Sequence, residues 1–187
     1  MKRIVILASG SGSNAENIIR HFKDSPKIRV VAVWSNKNTA AVLDRCDRLD
    51  VPAYYFNATA FRDPDGLLPM LLALAPDLVV LAGFLWKMPA HILQAFPDKI
   101  INIHPALLPK YGGKGMYGER VHRAVIESGD DQTGISIHFV NEDYDGGAII
   151  FQAQTPIGPS DDAQSVADKV HRLEYEHFPK IIEKLLS

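Results

Sequence analysis

Five consecutive apolar residues near the start of the chain, Ile4 to Ala8, are followed at once by the turn-forming run Ser9–Asn14, which reads SGSGSN. A continuous apolar run rich in β-branched residues is typical of a strand that is buried on both faces of a parallel sheet. Apolar residues then recur at helical spacing between Ala15 and Phe22. A strand, a tight turn and a helix in this order constrain the chain to an α/β fold, because a parallel strand must be covered on both faces.

The same alternation continues along the chain and predicts a single domain over residues 1–187. Further strands are expected near 28–35, 53–56, 78–82, 99–103, 134–140 and 148–154, helices near 39–49, 65–75, 119–128 and 163–185, and a short helix beginning near Pro89. The last two strands are joined by only seven residues, 141–147, so we expect them to pair in antiparallel fashion. The apolar stripe predicted for the last helix consists of Val166, Val170, Leu173, Phe178, Ile181 and Leu185. The predicted fold is a Rossmann-like, mostly parallel sheet flanked by helices, with an antiparallel pair near the C-terminus.

Composition excludes several classes of protein. The 187 residues carry 20 basic and 22 acidic side chains without long blocks of one sign, which does not suit a nucleic-acid-binding surface. No apolar run is long enough to span a membrane, and Met1–Arg3 is followed by too few apolar residues for a signal peptide. The single cysteine, Cys46, rules out a disulfide framework. We therefore expect a cytoplasmic protein with small-molecule partners and neither nucleic acid nor membrane.

The turn after the first strand satisfies the pattern Gly10-x-Gly12-x-x-Ala15 at the place where phosphate-binding loops carry it. Free backbone N–H groups and the dipole of the following helix favour an anion there. The acidic residue that would bind the ribose of NAD is missing, because Ser35-Asn36-Lys37 stands at the end of the second strand. The pattern predicts a site for a phosphomonoester. Lys37 leaves NADP open, and a turn that serves only the fold is the other interpretation.

A second group of polar residues follows the strand that ends near 103. Asn102 and His104 are two residues apart and share a face at the carboxyl edge of the sheet, where open α/β folds place their sites. The later turn with Asp143 and Asp145 supplies carboxylates. An amide and a protonated histidine suit acyl transfer to an amine, because both can hydrogen-bond the oxyanion that develops. A nearby aspartate would raise the pKa of His104 and keep it protonated near neutral pH.

Other chemistries find little support in the sequence. Ser136 lies within a strand and no G-x-S-x-G elbow occurs, while Cys46 falls in a helical stretch where an inert thiol is expected. Three further histidines lack the spacing of a metal site, so no metal is predicted: His122, His138 and His171.

Three segments together carry a resemblance to a known family. Residues 102–109 (NIHPALLP), residues 136–140 (SIHFV) and Asp145-Gly146-Gly147 resemble the formyltransferases that use 10-formyltetrahydrofolate. The opening run SGSGSN is similar to the branch that formylates 5-phosphoribosylglycinamide in de novo purine (IMP) biosynthesis. The resemblance spans essentially the whole chain and implies the formyltransferase fold. It also implies an enzyme that moves a formyl group from 10-formyltetrahydrofolate to an amine by direct attack, without a metal, as a monomer or homodimer.

The resemblance also implies roles for particular residues of this chain. The catalytic residues would be Asn102, His104 and Asp145. The substrate phosphate and ribose would be bound by Gly12, Ser13, Asn14 and Glu174. Folate would be bound by Arg62, Leu85, Trp86, Lys87, Met88, Asn102, Asn141, Glu142, Asp143 and Tyr144.

Two departures from the family pattern stand out. Trp86 occupies a place in the pterin loop where many relatives carry arginine, which puts a side-chain contact with folate at that position in question. The stretch 111–118, with four glycines in eight residues, is longer than the usual connection and is expected to be a mobile loop over the site.

Rival functions differ in acceptor or in class. Formylation of methionyl-tRNA would require an added basic domain, and formylation of an amino sugar nucleotide is the same chemistry on another amine. Hydrolysis of formyltetrahydrofolate is expected only with an N-terminal regulatory domain, whereas the catalytic pattern here starts at residue 2. A binding module that has lost catalysis would have no need of Asn102, His104 and a carboxylate at one edge.

Overall fold

A seven-stranded sheet forms the centre of the computed structural model, which describes residues 1–187. The strands are β1 (Lys2–Leu7), β2 (Ile28–Ser35), β3 (Ala53–Tyr55), β4 (Leu78–Leu81), β5 (Ile100–His104), β6 (Gln132–Phe139) and β7 (Ile149–Pro156). The helices are α1 (Ser13–Phe22), α2 (Ala41–Arg48), α3 (Ala58–Arg62), α4 (Leu67–Leu74), α5 (Ala90–Ala95), α6 (Glu119–Glu127) and α7 (Ala163–Leu186). The short helix α3 was not predicted; the side chain of Asn57 caps it by accepting a hydrogen bond from the backbone N–H of Ala60 at 2.9 Å.

The strand order is β3-β2-β1-β4-β5-β6-β7. Strands β1 to β5 are parallel, whereas β6 is antiparallel to both β5 and β7. The prediction of a mostly parallel α/β sheet with an antiparallel pair at the end of the chain is confirmed. Because the chain reverses its direction of growth between β1 and β4, the loops after these strands diverge and leave a crevice at the carboxyl edge.

Strand β1 is buried on both faces, as its sequence indicates. Ile4 and Ile6 pack with α1, α2 and α7 on one side of the sheet, and Val5 and Leu7 pack with α3, α4 and α5 on the other. All four side chains are fully buried, so this strand anchors the turn that follows it.

The buried face of α7 differs from the predicted stripe. Residues spaced by four along the helix are buried: Val166, Val170, Glu174, Phe178, Ile182 and Leu186. Leu173 and Ile181 are only partly buried and Leu185 is exposed. The charge of Glu174 interrupts the apolar pattern of the helix. The predicted stripe therefore contained Leu173, Ile181 and Leu185 in place of Glu174, Ile182 and Leu186. Neither α7 nor any other helix has both the length and the apolar composition needed to cross a membrane.

Candidate active site

The carboxyl ends of β1, β4 and β5 open into one cleft of about 600 Å³. Its walls come from the turn after β1, the loop 83–88 after β4, the segment 113–118 and the turn 140–145 after β6, together with single residues of α6 and α7. The cleft therefore lies where a doubly wound sheet is expected to place its ligand.

One end of the cleft is formed by the turn that leads into α1. Gly12 adopts a left-handed conformation with φ of +74°, and a Cβ atom there would lie only 2.3 Å from Cγ2 of Val42. The turn therefore requires glycine at this position. The first amides of α1, beginning at Ser13, have no intrahelical acceptor, and no side chain caps them. These amides, with Lys37 also lining the cleft, form an end that suits an anion.

Asn14 and Glu174 meet beside this turn although 160 residues separate them in the chain. The Asn14 Nδ2 donates a hydrogen bond to Glu174 Oε2 at 2.9 Å. Glu174 is only 5% exposed, and burial raises the pKa of its carboxyl. The Asn14 Oδ1 atom is buried without a protein partner, so this corner offers an acceptor for a donor group of a ligand, such as a hydroxyl.

Asn102, His104 and Asp145 come together at the end of β5. The Asn102 Nδ2 lies 3.5 Å from Asp145 Oδ1, and His104 Nδ1 lies 3.5 Å from Asp145 Oδ2. Asp145 adopts a left-handed backbone conformation with φ of +53°, which aspartate and asparagine tolerate better than most residues. The amide, the imidazole and the carboxylate thus line the cleft as one group.

Burial and two neighbours of His104 have opposite effects on the pKa of its ring. His104 is only 3% exposed, and this burial lowers its pKa below that of a free histidine. The charge of Asp145 and the carbonyl of Tyr111 raise the pKa but do not compensate for the burial. Asp145 therefore raises the pKa of His104, as expected, but its effect is smaller than that of burial. For Asp145 itself, burial opposes ionisation, but its contacts with His138 and His104 hold the pKa of the carboxyl below its ordinary value.

His138 belongs to the same group, although neither its spacing nor the resemblance of the SIHFV segment had assigned it a role. It pairs with Asn102 across the antiparallel β5 and β6 strands. Its Nδ1 lies 2.8 Å from the carbonyl of Phe139, and its Nε2 lies 3.1 Å from Asn102 Nδ2 and 3.6 Å from Asp145 Oδ1. A carbonyl accepts only, so Nδ1 carries a proton and Nε2 can accept from Asn102, which orients that amide. The alternating polar residues of the segment SIHFV were a signal for this placement.

A second histidine that the prediction left aside, His122 of α6, also lines the cleft. It is almost completely buried, its Nδ1 has no partner, and burial lowers its pKa to about 4. His122 is therefore neutral at physiological pH. His171 of α7 lines the cleft as well, with its Nε2 4.0 Å from Glu174 Oε2.

The other end of the cleft has an apolar wall made by the loop after β4. Trp86 is partly exposed, and its ring lies 5.5 Å from the ring of Phe61 and 6.4 Å from that of Phe84. Met88 lines the cleft but is 3% exposed, so much of its side chain packs in the core. Tyr144, in the turn after β6, lies with its ring 6.0 Å from Lys87 Nζ. These surfaces suit a flat heteroaromatic ligand.

Comparison with known proteins shows the family of this chain. A sequence model of the family described as Formyl transferase matches residues 2–182. The chain belongs to the formyl transferase family. The phosphoribosylglycinamide formyltransferase of Haemophilus influenzae is 39% identical over 189 residues, covering 98% of this chain and 86% of that protein. The one from Escherichia coli is 36% identical over 184 residues, covering 96% of this chain and 84% of that protein.

Solved structures of formyl transferases share the fold throughout. The crystal structure of phosphoribosylglycinamide formyltransferase from Streptococcus pneumoniae superimposes with a TM-score of 0.88 at 31% identity, and each chain is covered completely. The one from Brucella melitensis gives a TM-score of 0.89 at 30% identity, covering 100% of this chain and 96% of that chain.

Most residues to which the family resemblance assigned a role line this one cleft. They are Gly12, Ser13, Asn14, Leu85, Trp86, Lys87, Met88, Asn102, His104, Asn141, Asp143, Tyr144, Asp145 and Glu174. Arg62 and Glu142 do not line it. Arg62 ends the short helix α3 with an exposed side chain, and Glu142 is exposed in the turn after β6. Local sequence could not separate them from their neighbours, because the direction of a side chain from a turn depends on how the turn packs.

Proposed function

We propose that this formyl transferase is a phosphoribosylglycinamide formyltransferase, which moves the formyl group of 10-formyltetrahydrofolate to the amine of 5-phosphoribosylglycinamide. The observation that carries the proposal is that Asn102, His104 and Asp145 lie in the same cleft as a turn suited to phosphate. An acceptor that bears both a phosphate and an amine can span these two places. The family uses 10-formyltetrahydrofolate as its formyl donor.

At the acceptor end, the amides that begin at Ser13 bind the phosphate through the helix N-terminus. Asn14 and the buried Glu174 lie next to this position and bind the ribose hydroxyls, because Asn14 Oδ1 has no protein partner. The acceptor amine then points from the ribose towards His104 and Asp145.

At the donor end, Leu85, Trp86 and Met88 provide the apolar wall for the pterin, and Tyr144 also lines the cleft. Asn141 and Asp143, polar residues of the turn after β6 that line the cleft, and backbone groups of the loop after β4 hydrogen-bond its edge. Lys87 is exposed and lines the cleft at this end, whereas Arg62 lies outside the cleft.

The reaction is a direct attack of the unprotonated acceptor amine on the formyl carbon. A carbon–nitrogen bond forms as the carbonyl oxygen becomes an oxyanion, which Asn102 Nδ2 stabilises by hydrogen bonding and the ring of His104 stabilises by its positive charge once it has taken the proton of the amine. His104, neutral before the attack, accepts the proton that the attacking nitrogen releases, and Asp145 stabilises the resulting cation. The bond from carbon to N10 then breaks, and N10 takes the proton as tetrahydrofolate leaves.

The direct test is detection of the product by mass spectrometry. The protein should convert 5-phosphoribosylglycinamide to its formyl derivative in proportion to the tetrahydrofolate released. The same amine without its phosphate, an amino sugar nucleotide and methionyl-tRNA serve as competing acceptors. Preference for any of these over 5-phosphoribosylglycinamide, or release of formate with no acceptor consumed, would contradict the proposed function.

Trp86 should report folate binding through its fluorescence. A flat ligand on the wall of the cleft changes the surroundings of this partly exposed ring, whereas Trp34 is buried in the core. Titration with an unreactive folate analogue should therefore change the emission, and Trp86→Phe should remove most of the change while binding is still detected by calorimetry. Equal changes in the wild type and the variant would place the ligand elsewhere.

Assembly and location remain predictions. We propose a single domain over residues 1–187 that works as a monomer or homodimer in the cytoplasm, with small molecules as its only partners. One continuous sheet across the chain supports the single domain. Light scattering after size-exclusion chromatography would decide between monomer and dimer, and a larger assembly would contradict the proposal.

A further inference from the structure

His104 has a second partner besides Asp145, and this partner lies on the segment after β5. The Nε2 atom of His104 is 2.8 Å from the carbonyl oxygen of Tyr111. A carbonyl can only accept, so Nε2 must carry a hydrogen. The other ring nitrogen, Nδ1, faces Asp145 Oδ2 at 3.5 Å, which is longer than a strong hydrogen bond. Nδ1 is therefore the nitrogen that is free to gain and lose a proton.

The backbone of Tyr111 is held in an unusual conformation. Its φ is +60°, in the left-handed region that non-glycine residues rarely adopt. The side chain explains how this conformation persists, because the phenol donates a hydrogen bond to Asp130 Oδ2 at 2.7 Å and also contacts Ser128 Oγ. Lys110 Nζ binds the same carboxylate at 2.5 and 2.7 Å. Asp130 and Ser128, in the turn that follows α6, thus hold the Tyr111 side chain and thereby fix the position of its carbonyl.

The next residues of the segment contact Asp145. The backbone N–H of Gly113 donates to Asp145 Oδ2 at 2.9 Å. Gly112 packs so closely that a Cβ atom would lie 2.6 Å from Leu108 Cδ2 and 3.3 Å from Asp145 Cβ. The segment 111–113 therefore contacts both members of the His104–Asp145 pair, and its position is coupled to their geometry.

We propose that Tyr111 is a positioning residue for formyl transfer, whose anchored carbonyl keeps the hydrogen on Nε2 of His104 and so reserves Nδ1 for proton transfer. This inference rests on the proposed function for its kinetic consequence, but the placement of the hydrogen stands on geometry alone. A histidine whose ring is oriented by a carbonyl on one nitrogen presents a defined second nitrogen. The anchor to Asp130 and Ser128 gives the carbonyl its fixed place.

The charged and titratable groups that face His104 come from three elements. They are Asp145 in the turn after β6, His138 on β6 and His122 on α6. The Tyr111 carbonyl adds to the effect of Asp145, since both raise the pKa of His104 against the effect of burial. Loss of the carbonyl contact should therefore shift the titration of the His104 ring to lower pH.

The test is the substitution Tyr111→Phe, which keeps the ring and removes only the hydroxyl group that binds Asp130. We expect turnover to fall about 10-fold, because a histidine that takes part in proton transfer loses a group that orients it. The KM values for both substrates should change less than about twofold. Nitrogen–proton NMR correlations of the His104 ring should show hydrogen on Nε2 in the wild type and a mixture of both forms in the variant. Its titration midpoint should move to lower pH.

Two substitutions of Asp130 test the same contact without changing Tyr111 itself. Asp130→Asn retains an oxygen that can accept from the phenol and should remain near wild type, whereas Asp130→Ala should behave like Tyr111→Phe. Tyr54→Phe, an exposed tyrosine on β3, controls for loss of a hydroxyl. Thermal melting confirms that each variant is folded.

The two proposals can fail separately. An unchanged His104 tautomer and titration in Tyr111→Phe would overturn the positioning role, even if turnover falls. If the wild type forms no formylated product but the NMR changes occur as expected, the proposed function fails and the positioning of His104 by Tyr111 stands.

Discussion

Replacing Asp145 with asparagine is expected to lower turnover about 100-fold or more, a barrier increase of about 3 kcal/mol, with little change in substrate affinity. The substitution keeps the size of the side chain and an oxygen that can accept from the N–H of Gly113. Asparagine also tolerates the left-handed backbone at this position. What disappears is the charge that opposes the effect of burial on His104, so the pKa of His104 falls further and its cation becomes costlier to form.

The pH dependence separates a charge effect from a shape effect. His104 must be neutral to accept the proton of the amine, and its lower pKa in the variant keeps it neutral to lower pH than in the wild type. The ratio of variant to wild-type turnover should therefore rise as pH falls below about 6.5. Using the ratio removes the protonation of the acceptor amine, which affects both enzymes equally. Glu142→Gln makes the same chemical change in the same turn, outside the cleft, and should be nearly silent. If Asp145→Asn stays within about threefold of wild type across neutral pH, Asp145 only shapes the turn.

Ser13→Asp is expected to weaken binding of 5-phosphoribosylglycinamide about 100-fold, because it places a carboxylate at the proposed phosphate site. Ser13 is the first residue of α1 and lines the cleft. An acidic side chain in the first turn of a helix is favourable for the helix itself. The variant should therefore be at least as stable as wild type, so the loss cannot be ascribed to unfolding.

Ser13→Asn is the matched neutral control, and its affinity for the substrate should remain within a few-fold of wild type. Calorimetry with the substrate and with the same molecule lacking phosphate measures both variants; the Asp variant should affect only the phosphorylated ligand. Gly12 is unsuitable for this experiment, because a side chain there collides with Val42 and would disturb the packing between α1 and α2. Equal affinity of Ser13→Asp and wild type for the phosphorylated substrate would exclude the turn after β1 as the phosphate site.

Local pattern determined the scaffold of the site. The uninterrupted apolar run from Ile4 to Ala8 predicted a strand buried on both faces, and Ile6 and Leu7 indeed pack on opposite sides of the sheet. The two-residue period of a strand predicted that Asn102 and His104 share a face. These features need only the geometry of the chain over a few residues, and sequence specifies them directly.

The resemblance to a family supplied residues that periodicity could not. Glu174 is charged and interrupts the apolar pattern of α7, yet it lies in the buried face, because it meets Asn14 at the cleft. The same resemblance named Arg62 and Glu142, which lie outside the cleft. A family pattern transfers positions along the chain, whereas the direction of a side chain also depends on the local packing of each turn.

Tertiary structure alone decided which groups surround Asn102 and His104 and how these groups are charged. Asp145 and His138 reach Asn102 from 43 and 36 residues away, and the antiparallel register of β5 and β6 places His138 opposite Asn102. Burial lowers the pKa of His104 in spite of its aspartate, and the carbonyl of Tyr111 selects which of its nitrogens carries hydrogen. Strand register, desolvation and contact with a distant carbonyl all depend on which segments pack together, and no local period of the sequence encodes that.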